Sequence, residues 1–266
     1  MNFKNLETKC LYFRDMTDYK LLPNSYVMIM LDGRGFSKAI KNKFEKPFDD
    51  NFIYMMNETA KYLCENIQGC KFAYVQSDEI SLVLTDFDTP TTDSFFGNRI
   101  SKIQSIVASM ASGKFNQLML LHKLSKGLIK ENSEIEKSPI YQFDCKCWNV
   151  PTFNDVFAWF LWRQNDCIKN SKQQTAQTYF PHKRLLGKTT DEQIEILINE
   201  KEIDWNDFCD DKKYGRFVIK KKTLFNNIET GENYQRSKWV YEPAFLLSNK
   251  NGKEKFSNLN IIPNIL

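Results

Sequence analysis

The sequence has 266 residues, of which 42% are hydrophobic and 26% charged, values typical of a globular protein rather than a disordered chain. Its longest apolar run, from Tyr26 to Leu31, suits a buried strand and is too short to cross a bilayer. The formal net charge of +4 is too small to indicate nucleic-acid binding by itself.

The first ten residues, MNFKNLETKC, contain neither an apolar stretch after a basic start nor an Arg/Ser-rich helix. They predict no targeting signal, and we expect a cytoplasmic protein, with an organelle left open. The seven cysteines include no C-x-x-C pair, and most lie in apolar segments, which predicts reduced thiols. Because the chain has only two histidines, a zinc site and a histidine-dependent nucleophilic triad are both disfavoured.

The first 150 residues alternate between strand and helix patterns after a polar N-terminal arm. The predicted elements are a strand at 26–31, a helix at 49–67, strands at 71–76 and 79–85, a long helix marked by apolar residues from 100 to 118, a polar loop at 133–138 and a strand at 141–150. This order is the βαββαβ plan of a ferredoxin-like polymerase palm. It predicts an α+β fold in which helices cover one face of an antiparallel sheet.

The pattern changes after Pro151. A long, aromatic-rich helix is predicted at 154–178 and a shorter one at 191–200. Phe157, Phe160 and Trp162 recur at helical spacing, which predicts core positions. We interpret 1–150 as a palm-like catalytic domain and 151–266 as a helical and basic elaboration packed on the palm.

A basic segment, KKYGRFVIKKK, occupies residues 212–222 and contains six basic residues and no acidic one. Such a run can pair with the phosphates of a nucleic acid, and a solvated basic hairpin is an equally good interpretation. The RNA-binding residues predicted from it are Lys212, Lys213, Arg216, Lys220, Lys221 and Lys222.

Three acidic residues lie at the ends of two predicted strands. In a ferredoxin-like sheet the first and third strands are antiparallel neighbours, so Asp32 should lie beside Asp78 and Glu79. Clustered carboxylates repel one another unless cations neutralise them, and hard divalent cations prefer oxygen ligands. The pattern fits two Mg²⁺ ions about 3.5–4 Å apart, with the Gly33 carbonyl as a further ligand. Taken singly, however, Asp-Gly and Ser-Asp-Glu are more often plain turns.

Several short segments resemble one known family and occur in its order between about residues 5 and 222. They are Leu31-Asp-Gly-Arg-Gly-Phe36, Lys46-Pro47, Gln76-Ser-Asp-Glu-Ile-Ser-Leu82, Phe143-Asp144, Asn149-Val-Pro151 and Trp162-Arg-Gln-Asn-Asp166. Together they resemble the tRNA(His) guanylyltransferase superfamily, whose members add nucleotides in the 3′–5′ direction. The Asp-Gly-Arg and Gln-Ser-Asp-Glu elements are highly specific when they occur together.

The resemblance implies a palm fold, two Mg²⁺ ions, ATP and GTP or another NTP as substrates, tRNA as partner, and commonly a homotetramer. It implies that Asp32, Asp78 and Glu79 are the essential acids and that Asp32, Asp78 and the Gly33 carbonyl bind metal. The nucleotide-binding residues that it implies are Gly33, Arg34, Gly35, Phe36, Lys46, Ser77, Arg99 and Lys102. Without the resemblance, Arg99 and Lys102 would be a solvent-facing basic edge of a helix. Asp144 is expected to support the acids, and Asp166 either faces nucleic acid or holds Arg163.

Two departures from the family pattern concern the choice of substrate. Ser37 stands where a histidine usually follows Asp-Gly-Arg-x-Phe, and residues 168–175, IKNSKQQT, replace a motif that begins with histidine. The departures favour the guanylyltransferase-like branch, which adds nucleotides to 5′-truncated tRNAs in repair or editing. The alternatives are addition of a single 5′ guanosine to tRNA(His), a palm-type nucleotide cyclase that does not use RNA, and a non-catalytic RNA-binding protein.

Overall fold

The computed structural model describes residues 4–40, 43–226, 231, 233–259 and 262–263. The strands are β1 (Tyr26–Gly33), β2 (Cys70–Gln76), β3 (Glu79–Leu84), β4 (Phe143–Val150), β5 (Arg216–Asn226) and β6 (Asn233–Pro243). The helices are α1 (Leu6–Asp15), α2 (Phe36–Ala39), α3 (Asp50–Asn66), α4 (Ile100–Ser125), α5 (Asn132–Glu136), α6 (Phe153–Tyr179), α7 (His182–Leu185), α8 (Thr190–Lys201), α9 (Asp210–Lys213) and α10 (Gly252–Ser257). No described helix is long and apolar enough to span a membrane.

The strands form one antiparallel sheet in the order β4–β1–β3–β2–β5–β6. Its first four strands and the helices α3 and α4 follow the predicted βαββαβ plan. The C-terminal part extends the same sheet, because β5 pairs with β2 and β6 pairs with β5. The prediction of a helical C-terminal elaboration missed these two strands.

Alternating side chains of the strands divide the core between the two faces of the sheet. Val27, Ile29 and Leu31 of β1 belong to a buried cluster with residues of α3 and α4. Tyr26 and Met28 belong to a second cluster with residues of α6. The palm helices therefore cover one face, as predicted, and α6 covers the other. Burial on both faces explains why β1 is apolar from end to end.

Two segments predicted to be irregular contain short helices. In the polar N-terminal arm, α1 begins after Asn5, whose side chain accepts a hydrogen bond from the Thr8 amide at 2.8 Å. In the predicted loop at 133–138, α5 begins with a capping box between Glu131 and Glu134. Neither helix has a buried residue, so neither packs into the core of the described chain.

The aromatic residues of α6 do not all lie in the core. Phe160 is fully buried and Phe157 packs against the same cluster, as predicted. Trp162 was predicted to be a core residue, but 56% of its surface is exposed. It lies on the solvent side of α6, with its ring centroid 5.1 Å from that of Trp159 and 4.5 Å from the guanidinium of Arg163.

Candidate active site

A cavity of about 580 Å³ lies at the end of the sheet where β1 ends and β3 begins. Its lining comes from the end of β1, the turn between β2 and β3, the start of α3 and the middle of α6. Lys212 and Arg216 line it beside β5. The three predicted acids, Asp32, Asp78 and Glu79, all line this cavity, so the topology brings them together as expected.

Three carboxylates stand in one row across neighbouring strands. Asp32 pairs directly with Glu79 of β3 and, on its other side, with Asp144 of β4. The Cβ atoms of such directly opposed residues are about 4.5–5.5 Å apart. The pKa of Asp32 is raised, most strongly by burial and to a smaller extent by repulsion from Asp78 and Asp144. Asp144, which was expected to support the centre from a neighbouring strand, is therefore in direct register with Asp32.

Asp78 is positioned by the two-residue turn between β2 and β3. The turn starts at Ser77 with a φ of 45°, a conformation that residues other than glycine adopt infrequently. The Gly33 amide donates a hydrogen bond to the Asp78 carbonyl at 3.1 Å, which ties the turn to the end of β1. Burial raises the pKa of Asp78, while hydrogen bonds from its own amide and Ser77 and the charge of Lys46 oppose that rise.

The residues after Asp32 have separate roles in the fold. Phe36 is buried against Phe115 and Phe143, so its ring is part of the core although it borders the cavity. Gly35 begins α2 with a φ of 64°, which favours glycine. Arg34 is exposed and donates a hydrogen bond to Gln142 at 2.8 Å. The Arg34 side chain is therefore not among those that line the cavity, and its contact with nucleotide stays a prediction.

Gly33 makes room for the Phe36 ring. A Cβ atom at position 33 would lie 2.5 Å from Cγ of Phe36. We expect Gly33→Ala to destabilise the protein by about 1–3 kcal/mol, because overpacking forces the ring and the strand end apart. The matched control is Gly113→Ala on exposed α4 backbone, where an added Cβ meets nothing within 4 Å and the helix should gain about 1 kcal/mol. Urea unfolding measures both, and equal effects would contradict this role of Gly33.

Glu79 is neutralised by an arginine of α6. Arg163 Nε donates to Glu79 Oε1 at 2.7 Å, and Arg163 Nη2 bonds the other carboxylate oxygen. Burial raises the pKa of Glu79, and the two bonds from Arg163 oppose that rise. The sequence predicted that metal ions balance the charges of Asp32, Asp78 and Glu79. This expectation is corrected for Glu79, which is held by Arg163. Asp32 and Asp78 have no ion pair in the described chain.

Asp166 holds Arg163 from the next turn of α6, which is one of its two predicted roles. Its Oδ2 accepts hydrogen bonds from Arg163 Nη2 and from Asn170 Nδ2, both at 3.0 Å. Arg163 is thus fixed from two sides, and it in turn fixes the direction of the Glu79 carboxylate. The Trp-Arg-Gln segment was the signal for Arg163 in the sequence, but nothing in it identified Glu79 as the partner.

The free acids fit Mg²⁺ that arrives with a nucleotide. In the described residues, no three His, Cys, Asp or Glu side chains form a cluster able to hold a metal alone. Magnesium in proteins is usually bound by one or two carboxylates together with substrate phosphates and water. Asp32 and Asp78 supply two carboxylates, and their raised pKa values indicate that a cation beside them would be stabilising. The Gly33 carbonyl remains a predicted third ligand.

The predicted phosphate-contacting residues separate into two groups. Lys46 and Ser77 line the cavity, next to Asp78. Arg99 instead pairs with Asp18, with 2.8 Å between Nε and Oδ2, at the start of α4. The chain leaves β3 at Leu84, opposite Val27 near the start of β1, and Arg99 bridges Lys20, which precedes β1, so both points lie toward the end of the sheet away from Asp32. Within one chain, therefore, Arg99 and the exposed Lys102 do not reach the acids.

The basic segment runs from α9 into the first strand of the β5–β6 hairpin and is not one continuous basic surface. Lys213 and Arg216 are buried, so they cannot belong to a solvent-facing RNA-binding patch. Lys212 lines the cavity and pairs with Asp50 at 2.8 Å. The residues Lys220, Lys221 and Lys222 are exposed on β5, where binding of RNA phosphates remains a prediction for them. The segment enters β5 because its apolar centre, Phe217 to Ile219, pairs with the sheet.

Fold and site together define a class of protein. An antiparallel βαββαβ sheet with two helices on one face and carboxylates at the end of β1 and the start of β3 is a palm-like fold, as predicted. The family model for tRNAHis guanylyltransferase (Thg1) matches residues 9–151, more than half of the chain. The chain belongs to this family.

Relatives cover nearly the whole chain. A probable tRNA(His) guanylyltransferase of Dictyostelium discoideum is 28% identical over 245 residues, which is 88% of this chain and 90% of that protein. A bacterial tRNA(His) guanylyltransferase (Thg1)-like protein in complex with ATP superimposes with a TM-score of 0.79 at 30% identity, over 96% of this chain and 99% of the other. A bacterial Thg1-like protein in complex with GTP gives a TM-score of 0.75 at 29% identity, over 96% and 98%.

Proposed function

We propose that this protein is a Mg²⁺-dependent nucleotidyltransferase that adds nucleotides to the 5′ end of tRNA in the 3′–5′ direction. The observation that supports it most is a pair of carboxylates, Asp32 and Asp78, that have no ion pair with any described residue and lie on the wall of a nucleotide-sized cavity beside Lys46. Membership of the tRNAHis guanylyltransferase family supports the choice of tRNA. The relatives solved with ATP and with GTP support nucleoside triphosphates as the other substrates.

The proposed reaction has two phosphoryl-transfer steps. A tRNA with a 5′-monophosphate first attacks the α-phosphate of ATP, which forms an adenylylated 5′ end and releases pyrophosphate. The 3′-hydroxyl of an incoming NTP then attacks the activated 5′ phosphate and expels AMP. Phosphoryl transfer depends mainly on positioning and on neutralisation of charge, for which a cavity with both carboxylates and cations is suited.

Different residues of the cavity would bind the metal ion, bind the triphosphate and position the carboxylates. Bound Mg²⁺ would neutralise triphosphate oxygens and lower the pKa of an attacking hydroxyl. Asp32 and Asp78 would hold it, with the Gly33 carbonyl beside them, and Lys46 would bind the triphosphate from the same side. Arg163, whose Nε and Nη2 are bound by Glu79 and Asp166, would position the carboxylate row.

We further propose that the substrates are 5′-truncated tRNAs, so that the activity is templated repair or editing. The support is that the two departures from the family pattern lie at or near this cavity. Ser37 lines it, and Ile168 packs into a cluster with residues of α8 instead of supplying a histidine. Base choice would then come from pairing with the opposite tRNA strand. The exposed Lys220, Lys221 and Lys222 would bind RNA phosphates, and we expect a homotetramer, as the resemblance implies.

The test is an extension assay with full-length and 5′-truncated tRNAs, ATP, all four NTPs and Mg²⁺. We expect truncated tRNAs to be extended to the length of the opposite strand, and extension to stop when EDTA is added. A single guanosine added only to tRNA(His) would favour the maturation activity instead. Turnover of nucleotides at the same rate without RNA would favour a palm-type cyclase. If wild-type protein gives no product under any of these conditions, the proposed function is wrong.

A further inference from the structure

Arg216 presents an unsatisfied nitrogen in the cavity. It lines the cavity from the start of β5, and only 5% of its surface is exposed. Its Nε donates to Asn57 Oδ1 at 2.9 Å, and its Nη1 donates to the Asp211 carbonyl at 3.3 Å. Its Nη2 is buried and has no hydrogen-bond partner within the described chain. Because Nη2 carries two N–H groups, two hydrogen-bond donors of this buried guanidinium have no acceptor in the described chain.

The charge of Arg216 has no ion-pair partner among the described residues, and the acid that supports it, Asp211, acts from a longer distance. No Asp or Glu oxygen of the described residues lies within 4 Å of its guanidinium nitrogens. The other cavity arginine, Arg163, has two carboxylate partners, and Lys212 is paired with Asp50. Burial lowers the pKa of Arg216, yet a guanidinium stays charged in a protein. A buried cation without an ion-pair partner is costly to a fold, and an anion bound beside it would offset that cost.

In the sheet, β2 lies between Arg216 on β5 and Glu79 on β3. Arg216 pairs with Val75 of β2, one residue before the segment 76–79 that carries Asp78. Of the four cationic side chains that line the cavity, two have no ion-pair partner among the described residues: Lys46, beside Asp78, and Arg216, on the other side of β2. A substrate with two phosphate-bearing parts could contact both.

We propose that Arg216 Nη2 binds a phosphate oxygen of a substrate in this cavity, at a point distinct from the Asp32–Asp78 pair. This inference rests on the proposed function, which brings two sources of phosphate to the cavity: the NTP and the 5′ phosphate of the RNA. A guanidinium suits either, because its N–H groups match phosphate oxygens and remain charged at every physiological pH.

The experiment measures equilibrium binding to the full chain, without turnover. The probes are tripolyphosphate, which stands for the nucleotide, and an RNA hairpin prepared with either a 5′ phosphate or a 5′ hydroxyl. The variant is Arg216→Met, which keeps an unbranched apolar stem and removes the guanidinium with its charge. The matched control is Lys213→Met from the same basic segment, since Lys213 is also buried but is satisfied by the Asn206 carbonyl at 3.0 Å and by Asp210 at 3.3 Å.

We expect Arg216→Met to weaken binding of one probe by about 10- to 100-fold, the loss of a charge-assisted hydrogen bond, and Lys213→Met to bind as wild type. Weaker tripolyphosphate binding would identify the nucleotide as the source. Loss of the preference for 5′-phosphorylated over 5′-hydroxyl RNA would identify the RNA end. Unchanged binding of both probes would overturn the proposal.

Thermal unfolding separates binding from a structural role. Removing a buried charge that has no ion pair offsets the loss of its hydrogen bonds to Asn57 and the Asp211 carbonyl, so Arg216→Met should melt near the wild-type temperature. A large drop in melting temperature would show that Arg216 serves the fold through Asn57, and would also overturn the proposal. Arg216→Lys, which keeps a cation near Asn57, is the second variant and should fold and bind with intermediate affinity. Failure of the extension assay with normal phosphate binding would reject the proposed function but leave this site in place.

Discussion

Replacing Asp78 with asparagine is expected to lower the rate of 5′ extension by about a thousandfold, equivalent to about 4 kcal/mol of transition-state stabilisation. Asp78 lies in the turn between β2 and β3 and lines the cavity beside Lys46. Asparagine keeps the shape and one oxygen but loses the charge that holds a divalent ion. Single-turnover extension of a truncated tRNA at saturating ATP measures the effect.

The same substitution should not weaken the fold. Burial raises the pKa of Asp78 above its ordinary value, so at neutral pH its ionised form is less favourable in the folded than in the unfolded chain. Asp78→Asn should therefore unfold at the same temperature as wild type or slightly above it. The control is Asp88→Asn, which removes an acid paired with Lys71 at the opposite end of the sheet and should leave extension unchanged. Equal activity of Asp78→Asn and wild type would rule out this site.

Replacing Arg163 with methionine is expected to cost about 3–5 kcal/mol of stability, since it leaves the Glu79 carboxylate buried and unpaired. Glu79 is only 6% exposed, and its remaining partners are weak ones, Gln76 Nε2 at 3.3 Å and Ser81 Oγ at 3.4 Å. Urea unfolding followed by circular dichroism measures the loss. Extension should fall as well, because Arg163 fixes the row of carboxylates.

A double substitution distinguishes loss of the pair from loss of packing. Arg163→Met with Glu79→Gln leaves no buried charge at this point, so we expect it to recover more than half of the stability lost in Arg163→Met. The control is Arg184→Met, which breaks an exposed ion pair with Glu200 and should cost less than about 1 kcal/mol. If the double variant is as unstable as the single one, packing of the arginine stem is the dominant contribution.

The meeting of the acids could be predicted from the sequence because topology alone fixes it. Once the first and third strands are antiparallel neighbours, Asp32 at the end of one must face Glu79 at the start of the other, and β1 and β3 have this register. The apolar run of β1 and the helical spacing in α3 were strong signals because both elements are buried. The family motifs then indicated the chemistry at that strand end.

The contacts that could not be predicted join elements distant in sequence. Glu79 and Arg163 are 84 residues apart and meet only because α6 covers the second face of the sheet. Arg99 and Lys102 are neighbours on a helix, but helical spacing does not tell at which end of the sheet the helix begins. The strands β5 and β6 were missed because they extend the edge of the sheet, where many side chains are polar and exposed.

A diffraction experiment on crystals soaked with Mn²⁺ and a non-hydrolysable ATP analogue would locate the divalent ion through its anomalous signal. We expect a peak between the carboxylates of Asp32 and Asp78, with the triphosphate extending toward Lys46 and with Glu79 still bound to Arg163. A bound nucleotide with no ion at these two carboxylates, or an ion held only by other residues, would contradict the site described above.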